Sequence, residues 1–407
     1  MSLSLLSALQ ATREPAECLV SIAGESLADF YPMLTELSVE TSRHVPDTAR
    51  LSFESRRDDQ GNWLIQDAKG LSGRVLFQEW NPITISAAFG TATEEILRGF
   101  IRQVRSEYPP DPGAVKVIVE VQDESFQLDR QQRRRSWGTT DVPMTDLQIL
   151  AELLSPYAGL SQDAQCATGQ RGIVGENQNS TDIQWLKKRA EENGYELIVR
   201  GGSVYFGPMR IGAGQPQPTL RVYAGQDANC ISLTVSSDAH QPDAVVVDLP
   251  NATGYGSRKL SVPPDLPLMG REWAGNPNPS LAGFEWRLSG ESGGGASANE
   301  TRLTDKARAK ANDADIHRIQ AEGELDGTLY GHVLRPGLPV GVDGLGERQS
   351  GLYYVDTVSH VFNAQGYRQR FKLLRNAWGD NLGSQPEAGP LAAVLGFATA
   401  LSGGLRL

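Results

Sequence analysis

A chain of 407 residues is too long for one ordinary hydrophobic core, so its length predicts two to four globular units. Its 39% hydrophobic and 21% charged residues are typical of a folded protein and argue against a disordered chain. A formal net charge of −11 argues against a dedicated nucleic-acid-binding protein, which normally carries a basic face, but is compatible with a wall that repels DNA.

The chain ends predict neither export nor membrane insertion. Residues 1–10 have no basic stretch and no long apolar core, so no secretory signal is predicted and synthesis in a cytoplasm is expected. No run of about 18 apolar residues is present, so we expect no membrane-spanning helix. The apolar residues 391–401 are too few to span a membrane, and we expect a partner or a symmetry axis to cover them.

Residues 18–122 alternate short apolar segments with turns. An alternation of period two is typical of strands with one buried face, and Gly, Pro, Asn and Asp favour the turns between them. The predicted strands include residues 51–53, 63–65, 83–85 and 115–121, and the turns include residues 59–61, 81–82 and 109–113. This region is predicted to form an antiparallel barrel or sandwich.

The next region, residues 125–207, mixes helices and strands. Thr145 can cap a helix that Pro156 ends, and its apolar face is predicted to consist of Leu147, Leu150, Ala151 and Leu154. A second helix begins near Thr181, which has capping-box spacing to Gln184; its apolar face is Ile183, Leu186 and Ala190, and Asn193–Gly194 ends it. A hairpin over residues 195–206 follows, with its turn at Gly201–Gly202.

Strand patterns resume after this α+β region, at residues 220–223, 231–235 and 244–247. A Pro- and Gly-rich excursion over residues 263–298 shows no stable period, although Trp273 and Trp286 indicate that it packs against something. A helix over residues 304–315 is predicted to bury one side, formed by Ala307, Ala311 and Ala314. It returns the chain to a second β region.

The second β region is the most regular part of the chain. It contains strands at residues 338–342 and 352–358 and a hairpin loop at Asn363–Gly366. The last strand alternates a core face of Tyr367, Gln369, Phe371 and Leu373 with a wet face of Arg368, Arg370 and Lys372, which could meet solvent, a lumen or a neighbouring subunit. No internal sequence repeat is evident, because the two β regions resemble each other only in pattern.

No motif in the chain supports a catalytic, cofactor or metal site. The three cysteines, Cys18, Cys166 and Cys230, lie too far apart in sequence to indicate a disulfide framework or a metal knuckle. The five histidines, His44, His240, His317, His332 and His360, have no metal-ligand spacing and are interpreted as ordinary polar or packed side chains.

Three short motifs have structural interpretations that outweigh functional ones. Ser292 lies in a Gly-x-Ser-x-Gly match at residues 290–294, but flexible loop on both sides replaces the strand and helix of a hydrolase elbow. Gly344 and Gly346 favour a tight hairpin over a phosphate loop. The basic run Arg133–Arg135 is expected to form a solvated or ion-pairing patch rather than a phosphate site.

Three segments together resemble the late control D family of phage tail proteins, which are baseplate hub proteins similar to the first part of type VI secretion spike proteins. The first segment is residues 99–104 with the strand to Val121, Asp123 and residues 128–130. The second is residues 180–195 with residues 205–208, and the third comprises residues 334–337, 350–355, 358–360, 366–367 and 371–376. Their order and spacing cover residues 18–378, most of the chain.

The resemblance implies a mainly β, α+β fold with two tube-like antiparallel β-barrels and a hub-type architecture. The implied divisions are a first barrel over residues 1–124, an α+β domain over 125–207, a second barrel split between 208–257 and 310–378, an excursion over 258–309 packing with the α+β domain, and a tail over 379–407. The chain departs from the secretion spikes because no needle-like repeat follows Trp378, which implies a separate spike chain.

The implied function is structural rather than enzymatic. A homotrimer would present six similar barrels and join a sixfold tail tube to a threefold central spike in the baseplate of a virion tail, assembled in the bacterial host cytoplasm. The implied partners are the spike, the tail tube or tube-initiator protein, the tape measure protein and baseplate wedge proteins, with DNA only passing through the lumen. The same role in an injection particle or type VI-like system, and a hydrolase using Ser292, are the alternatives.

Overall fold

The computed structural model describes residues 15–110, 115–169, 172–212, 216–250, 257–275, 278, 280–288 and 296–382. These residues form a mainly β structure with added helices, which confirms the predicted fold class. The central feature is a 13-stranded, largely antiparallel sheet with a curled shape. The α+β region and the excursion pack beside it.

The first part of the large sheet is built from strands of the first β region. They are β1 (Glu17–Ile22), β2 (Glu25–Ser26), β3 (Leu34–Ser42), β4 (Thr48–Glu54), β5 (Pro82–Phe89), β6 (Ala92–Glu107) and β7 (Lys116–Asp123), in the order β3-β4-β7-β6-β5-β1-β2. The expected strand at residues 63–65 is wrong: Trp63 makes only an isolated bridge to Arg57, and turns follow it. Ile65 is nevertheless fully buried, so its apolar character reflects core packing.

The α+β region has its own core. Its elements are β8 (Gln132–Trp137), α1 (Asp146–Leu154), β9 (Ser161–Gln162), β10 (Glu176–Thr181), α2 (Asp182–Asn193), β11 (Glu196–Arg200) and β12 (Ser203–Gly207). The capping box of α1 at Thr145 and Gln148 is confirmed, but the buried face is Ile149, Leu150, Leu153 and Leu154, with Ala151 exposed. The predicted capping box of α2 is wrong, because the Thr181 hydroxyl donates to Asp129 Oδ1 at 2.6 Å.

The second part of the large sheet follows a similar course. Its strands are β13 (Gln217–Arg221), β14 (Cys230–Ser237), β19 (Ile319–Asp326), β20 (Pro339–Asp343), β21 (Gly351–Asn363) and β22 (Gly366–Arg375). Outside the large sheet, between β14 and β19, lie β15 (Ala244–Pro250), β16 (Ser257–Val262), β17 (Glu272–Trp273), β18 (Glu285–Leu288) and helix α3 (Ala296–Ile316). The short helix α4 (Gly327–Tyr330) follows β19, and β23 (Ala377–Trp378) follows β22. The large sheet continues in the order β14-β19-β22-β21, with β20 beside β21 and β13 beside β20.

The excursion forms a small sheet of its own, in the order β16-β15-β18. Strand β15 was expected with the second barrel, but Val245 and Val247 pack against α3, where Ala307 and Ala311 are fully buried. Helix α3 begins eight residues before the predicted start. The expectation that Trp273 and Trp286 pack is met only in part: Trp273 Nε1 donates to Asp315 Oδ1 at 2.8 Å, but Trp273 is 37% exposed and Trp286 is 42% exposed.

The two parts of the large sheet are joined edge to edge by β3 and β21. Residues 357–362 of β21 pair antiparallel with residues 37–42 of β3, and we call this pairing the seam. Residues 351–354 of β21 pair instead with β20, so β21 has β20 beside its first residues and β3 beside its later ones. A bulge between Val355 and Thr357 marks this change of partner.

The large sheet contains a structural repeat that the sequence does not reveal. Strands β3, β4, β7 and β6 form the first sheet unit, and strands β14, β19, β22 and β21 form the second, with the same connectivity. The third strand of each unit in chain order, β6 or β21, also pairs with the strand before it, β5 or β20. The irregularities coincide too: residues 34–36 and 230–232 are bulged in the first strands, and residues 101–103 and 355–357 in the third.

Candidate functional surfaces

The two sheet units can be aligned residue by residue from their hydrogen bonds. The Trp80 N–H donates to the Ile101 carbonyl at 2.8 Å, and the Gly337 N–H donates to the Val355 carbonyl at 2.9 Å. Trp80 and Gly337 also share the left-handed backbone, with φ of 71° and 77°. Other equivalent pairs are Leu37 with Leu233, Val39 with Val235, Ala49 with Ala321, Pro82 with Pro339 and Val104 with Val358.

The wet face of the joined sheet carries charges of both signs in cross-strand pairs. Between β22 and β19 the pairs are Lys372 with Glu322 at 2.8 Å, Arg370 with Glu324 at 3.1 Å, and Arg368 with Asp326. In the first unit Arg102 pairs with Glu120 at 3.1 Å, and across the seam the Ser359 hydroxyl donates to Glu40 at 2.6 Å. The predicted wet face of β22 is confirmed, and its cations are paired with carboxylates.

A buried polar contact at the N-terminal end of β11 ties the two sheet units together. The Arg43 Nη1 of the first part lies 3.3 Å from Glu196 Oε1, and its Nε donates to Asp356 Oδ1 at 2.6 Å. The Tyr354 hydroxyl of the second part donates to Glu196 Oε2 at 2.7 Å. Burial raises the pKa of Glu196, while Arg43 opposes this effect, so the carboxylate depends on its partners. Glu196 thus bridges both units from the α+β region.

The other end of β11 repeats this bridging. Arg200 Nη2 donates to Asp47 Oδ2 of the first part at 3.0 Å, and its Nη1 donates to the Pro336 carbonyl of the second part at 3.2 Å. The Asp47 N–H in turn donates to Asp123 Oδ2 at 2.7 Å. Burial, and then the nearby Asp47 carboxylate, raise the pKa of Asp123 to about 7. We call Glu196, Arg200 and these contacts the clasp.

The five histidines have ordinary partners, although His44 lies close enough to His317 to be affected by its charge. His360 is fully buried beside the Tyr367 hydroxyl (2.8 Å), and burial lowers its pKa to about 3, so it is neutral. His332 Nδ1 lies 2.7 Å from Glu94 Oε1, which raises the pKa of His332. Across the described ranges, no three His, Cys, Asp or Glu side chains form a group that could hold a metal ion.

The other singled-out motifs have structural roles or lie outside the described residues. Arg133 Nε lies 3.2 Å from Asp182 Oδ2, and Arg135 Nη1 lies 3.3 Å from Glu152 Oε1, so this basic run forms ion pairs within the chain. Gly344 and Gly346 have φ of 93° and 81° in the loop after β20. Residues 290–294, with Ser292, and residues 391–401 lie outside the described residues.

An open cleft of about 570 Å³ lies between the first sheet unit and the α+β region. Trp80 stacks on Phe126 with ring centroids 4.4 Å apart, and the Arg130 guanidinium carbon lies 4.0 Å from the Trp80 ring centroid. Tyr157 and Phe100 also line the cleft. Such flat, amphipathic side chains suit contact with a protein surface.

The residues that sequence reasoning missed are those of the clasp. Arg43 and Glu196 are 153 positions apart, and Glu196 and Tyr354 are 158 positions apart. Their only local signal is a charged residue at a strand end, which is common. The part of the chain that the structure describes contains no helix long and apolar enough to cross a membrane.

No protein-family model matches the chain, and no curated protein matches it by sequence. Solved structures do match it in fold. A tail protein from Neisseria meningitidis has a TM-score of 0.60 at 14% identity over 90% of this chain and 98% of its own. A 43 kDa tail protein of prophage MuSo2 from Shewanella oneidensis has a TM-score of 0.62 at 13% identity over 88% of this chain and 98% of its own.

A third match is an E. coli component of the type VI secretion system, described as structurally similar to tail proteins of bacteriophage T4. Its TM-score is 0.52 at 11% identity, over 90% of this chain and 80% of its own. At such identities the likeness concerns the course of the backbone. This chain has the mainly β fold found in these tail and secretion-system proteins.

Proposed function

We propose that this chain is the non-enzymatic hub of a contractile phage-type tail, a trimeric adaptor between the tail tube and the central spike. The observation that carries the proposal is the structural repeat: one chain contains two sheet units with the same connectivity and matching bulges. The fold shared with phage tail proteins supports the same setting.

The repeat explains how such an adaptor resolves a symmetry mismatch. Three chains with two sheet units each supply six similar units, which suit a sixfold tube, while the chain itself obeys threefold symmetry and suits a trimeric spike. The clasp holds the two units of one chain at a fixed relation through Glu196 and Arg200. In this proposal the first unit is the first barrel, the second unit is the core of the second barrel, and the α+β region lies outside the ring.

The wet face is proposed to line the channel. The cations of β22 are paired with carboxylates on β19, so a passing polyanion meets no row of unpaired cations there. Tape measure protein and then DNA would pass this face without being retained. We therefore attribute the weak retention of DNA to these charge pairs, and not to the net negative charge of the whole chain.

The remaining partners follow from the position of a hub. The spike docks at one end of the ring and the tube or tube-initiator protein at the other, with wedge proteins of the baseplate outside, in a virion tail assembled in the host cytoplasm. The fold is also found in a type VI secretion component, so the same role in an injection particle is the second candidate. Capsid and packaging genes beside the coding gene would distinguish a phage from such a particle.

The proposal is tested by cryo-electron microscopy of the chain with the spike encoded beside it. The expected map contains three copies of this chain arranged as a ring of six sheet units on a threefold spike. A single copy bound to the side of the spike, or no complex with any neighbouring tail protein, would overturn the proposal. Hydrolysis of peptidoglycan or esters that Ser292→Ala abolishes would overturn its non-enzymatic part.

A further inference from the structure

Several strand edges of the large sheet have no partner among the described residues, and two of them belong to the sheet units. Strand β14 pairs only with β19, so its other edge is open over residues 230–237. Strand β6 pairs with β5 over residues 92–100. Beyond these residues its edge on the β5 side is open, and β6 is paired only with β7. Open edges present unpaired backbone N–H and C=O groups and favour pairing with another chain.

The structural repeat identifies what covers these edges. Strand β14 is the equivalent of β3, and β6 is the equivalent of β21, and β3 and β21 form the seam within the chain. Each open edge is therefore the counterpart of an edge that is already paired. The pairing that is missing is β6 of one copy with β14 of another.

Burial agrees with a missing neighbour at β14. Leu37 and Val39 of β3 are fully buried, at 0% exposure, whereas their equivalents Leu233 and Val235 in β14 are only half-buried. The same contrast separates the third strands. Val358 of β21 is fully buried, and its equivalent in β6 is half-buried.

Strand direction also allows this pairing. The eight strands from β14 to β6 are joined by antiparallel pairings throughout, so the two outer strands of this even-numbered set run in opposite directions. When β14 of a second copy lies beside β6, the new pair is therefore antiparallel as well. A head-to-tail contact of this kind generates a ring when its rotation closes.

We propose that residues 103–108 of one copy pair antiparallel with residues 233–238 of a second copy of this chain, in the register of the seam. The inference rests on the proposed trimeric function and names its interface. The seam pairs Ser359 with Glu40, which places Arg105 opposite Ser236 of the second copy, and Glu107 opposite Thr234.

The side chains at these positions suit the pairing. Ser236 and Thr234 are uncharged, so Arg105 and Glu107, which pair with each other at 2.9 Å, meet no like charge across the interface. Tyr108, which is 59% exposed, takes the position of Phe362 opposite Leu37 in the seam, and would pack on Leu233 of the second copy. The interface therefore covers apolar surface that the single chain leaves in water.

Engineered disulfides test the register. Oxidation of the double variant Arg105→Cys with Ser236→Cys, in the complex with the spike, is expected to join chains into covalent dimers and trimers, because opposed Cα atoms lie about 4.5–5.5 Å apart. Arg105→Cys with Ser232→Cys is the out-of-register control, with a displacement of about 13 Å along the strand. Glu40→Cys with Ser359→Cys is the positive control and forms its disulfide within one chain.

Native thiols interfere little with this test. Burial raises the pKa of all three native thiols, to about 12 for Cys18 and to about 11 for Cys230, and it also raises that of Cys166, so they are poorly ionised near neutral pH. Failure of the Arg105 and Ser236 pair in a complex of trimer mass, while the seam pair oxidises, would overturn the register and leave the trimeric hub standing. A chain that stays monomeric with every partner overturns both.

A charge exchange tests the same interface without cysteines. Ser236→Arg places two guanidinium groups opposite each other and is expected to reduce the trimer fraction by about tenfold, because like charges directly opposite are destabilising. Adding Arg105→Glu to Ser236→Arg is expected to restore the trimer. An unchanged trimer fraction in Ser236→Arg, or no recovery in the double variant, would contradict the pairing.

Discussion

Strands β3 and β14 occupy the same place in two copies of one structural unit, yet they differ in their surroundings. Both are bulged near their start, and both carry apolar residues at the same two positions, Leu37 and Val39 in one and Leu233 and Val235 in the other. The residues of β3 are fully buried because β21 lies beside them, and those of β14 are not. The difference teaches that an open edge here reflects a missing neighbour.

A second difference between the units concerns what docks on them. Gly337 and Trp80 share one left-handed position, but a Cβ at Gly337 would lie 2.4 Å from Ile198 Cδ1 of β11. The second unit therefore needs glycine where the α+β region packs against it. The first unit has Trp80 there, facing the open cleft.

The largest expected effect follows from breaking the clasp that joins the units. Glu196→Ala removes the acceptor of Arg43 and Tyr354 from a buried site and is expected to cost about 3–5 kcal/mol of unfolding free energy, because buried charges lose a partner. Equilibrium urea unfolding measures it. Glu152→Ala, at the exposed pair with Arg135, is the control and should cost less than about 1 kcal/mol. Equal costs for both variants would contradict the clasp.

The contrast at the shared left-handed position predicts the next effect. Gly337→Ala is expected to cost about 2–3 kcal/mol, because it combines an unfavourable backbone conformation with overlap on Ile198. Gly366→Ala is the matched control: its φ is 98° and its added Cβ has no neighbour within 4 Å, so it measures the backbone cost alone. Thermal unfolding of both variants separates the two costs. Equal costs for the two variants would mean that the packing of β11 against the second unit does not require glycine at position 337.

The units also differ at the end of their fourth strands, where Asp123 and Arg375 are equivalent. The pKa of Asp123 is raised from 3.8 to about 7, so the native chain holds a proton that the unfolded chain releases between these values. The contribution of Asp123 to stability is therefore full below about pH 4 and is lost as pH rises through about 7.

Asp123→Asn tests this titration, because the amide cannot ionise. The unfolding free energy of the wild type relative to Asp123→Asn is expected to fall by on the order of 4 kcal/mol between pH 4 and 8. Urea unfolding at several pH values measures this difference, and the same series on an Asp59→Asn variant, at an exposed loop residue, is the control. A flat or rising difference for Asp123→Asn would contradict the raised pKa.

The smallest effect is expected on the wet face. Lys372→Ala removes one partner of an exposed pair with Glu322, and both side chains are more than half exposed. It should change the unfolding free energy by less than about 0.5 kcal/mol. A cost above about 1 kcal/mol in urea unfolding would mean that the charge pairs of the wet face stabilise the fold, and would contradict a role limited to lining a channel.

The local features of the fold could be predicted from the sequence. The alternation of Tyr367, Gln369, Phe371 and Leu373 gives the buried face of β22, and Thr145 gives the start of α1. Both depend on residues within one turn or one strand. The face of α1 was misplaced because tertiary contacts bury Ile149 and Leu153 in preference to Ala151.

The residue-by-residue equivalence of the two sheet units and the clasp could not be predicted, for physical reasons. Equivalent positions need the same backbone path but not the same side chain, as Leu51 and Gly323 or Asp123 and Arg375 illustrate. The clasp joins residues more than 150 positions apart, so no local pattern marks it. What the sequence did provide was the resemblance to hub proteins, and the fold shared with solved tail proteins agrees with it.

The central claim is that this chain assembles as a ring of paired sheet units, and its mass in solution tests that claim most directly. Light scattering on the purified chain, with and without the spike encoded beside it, should give a species of three 44.1 kDa chains, about 132 kDa before the mass of the spike is added. A mass of 44.1 kDa for this chain in both samples would contradict the account.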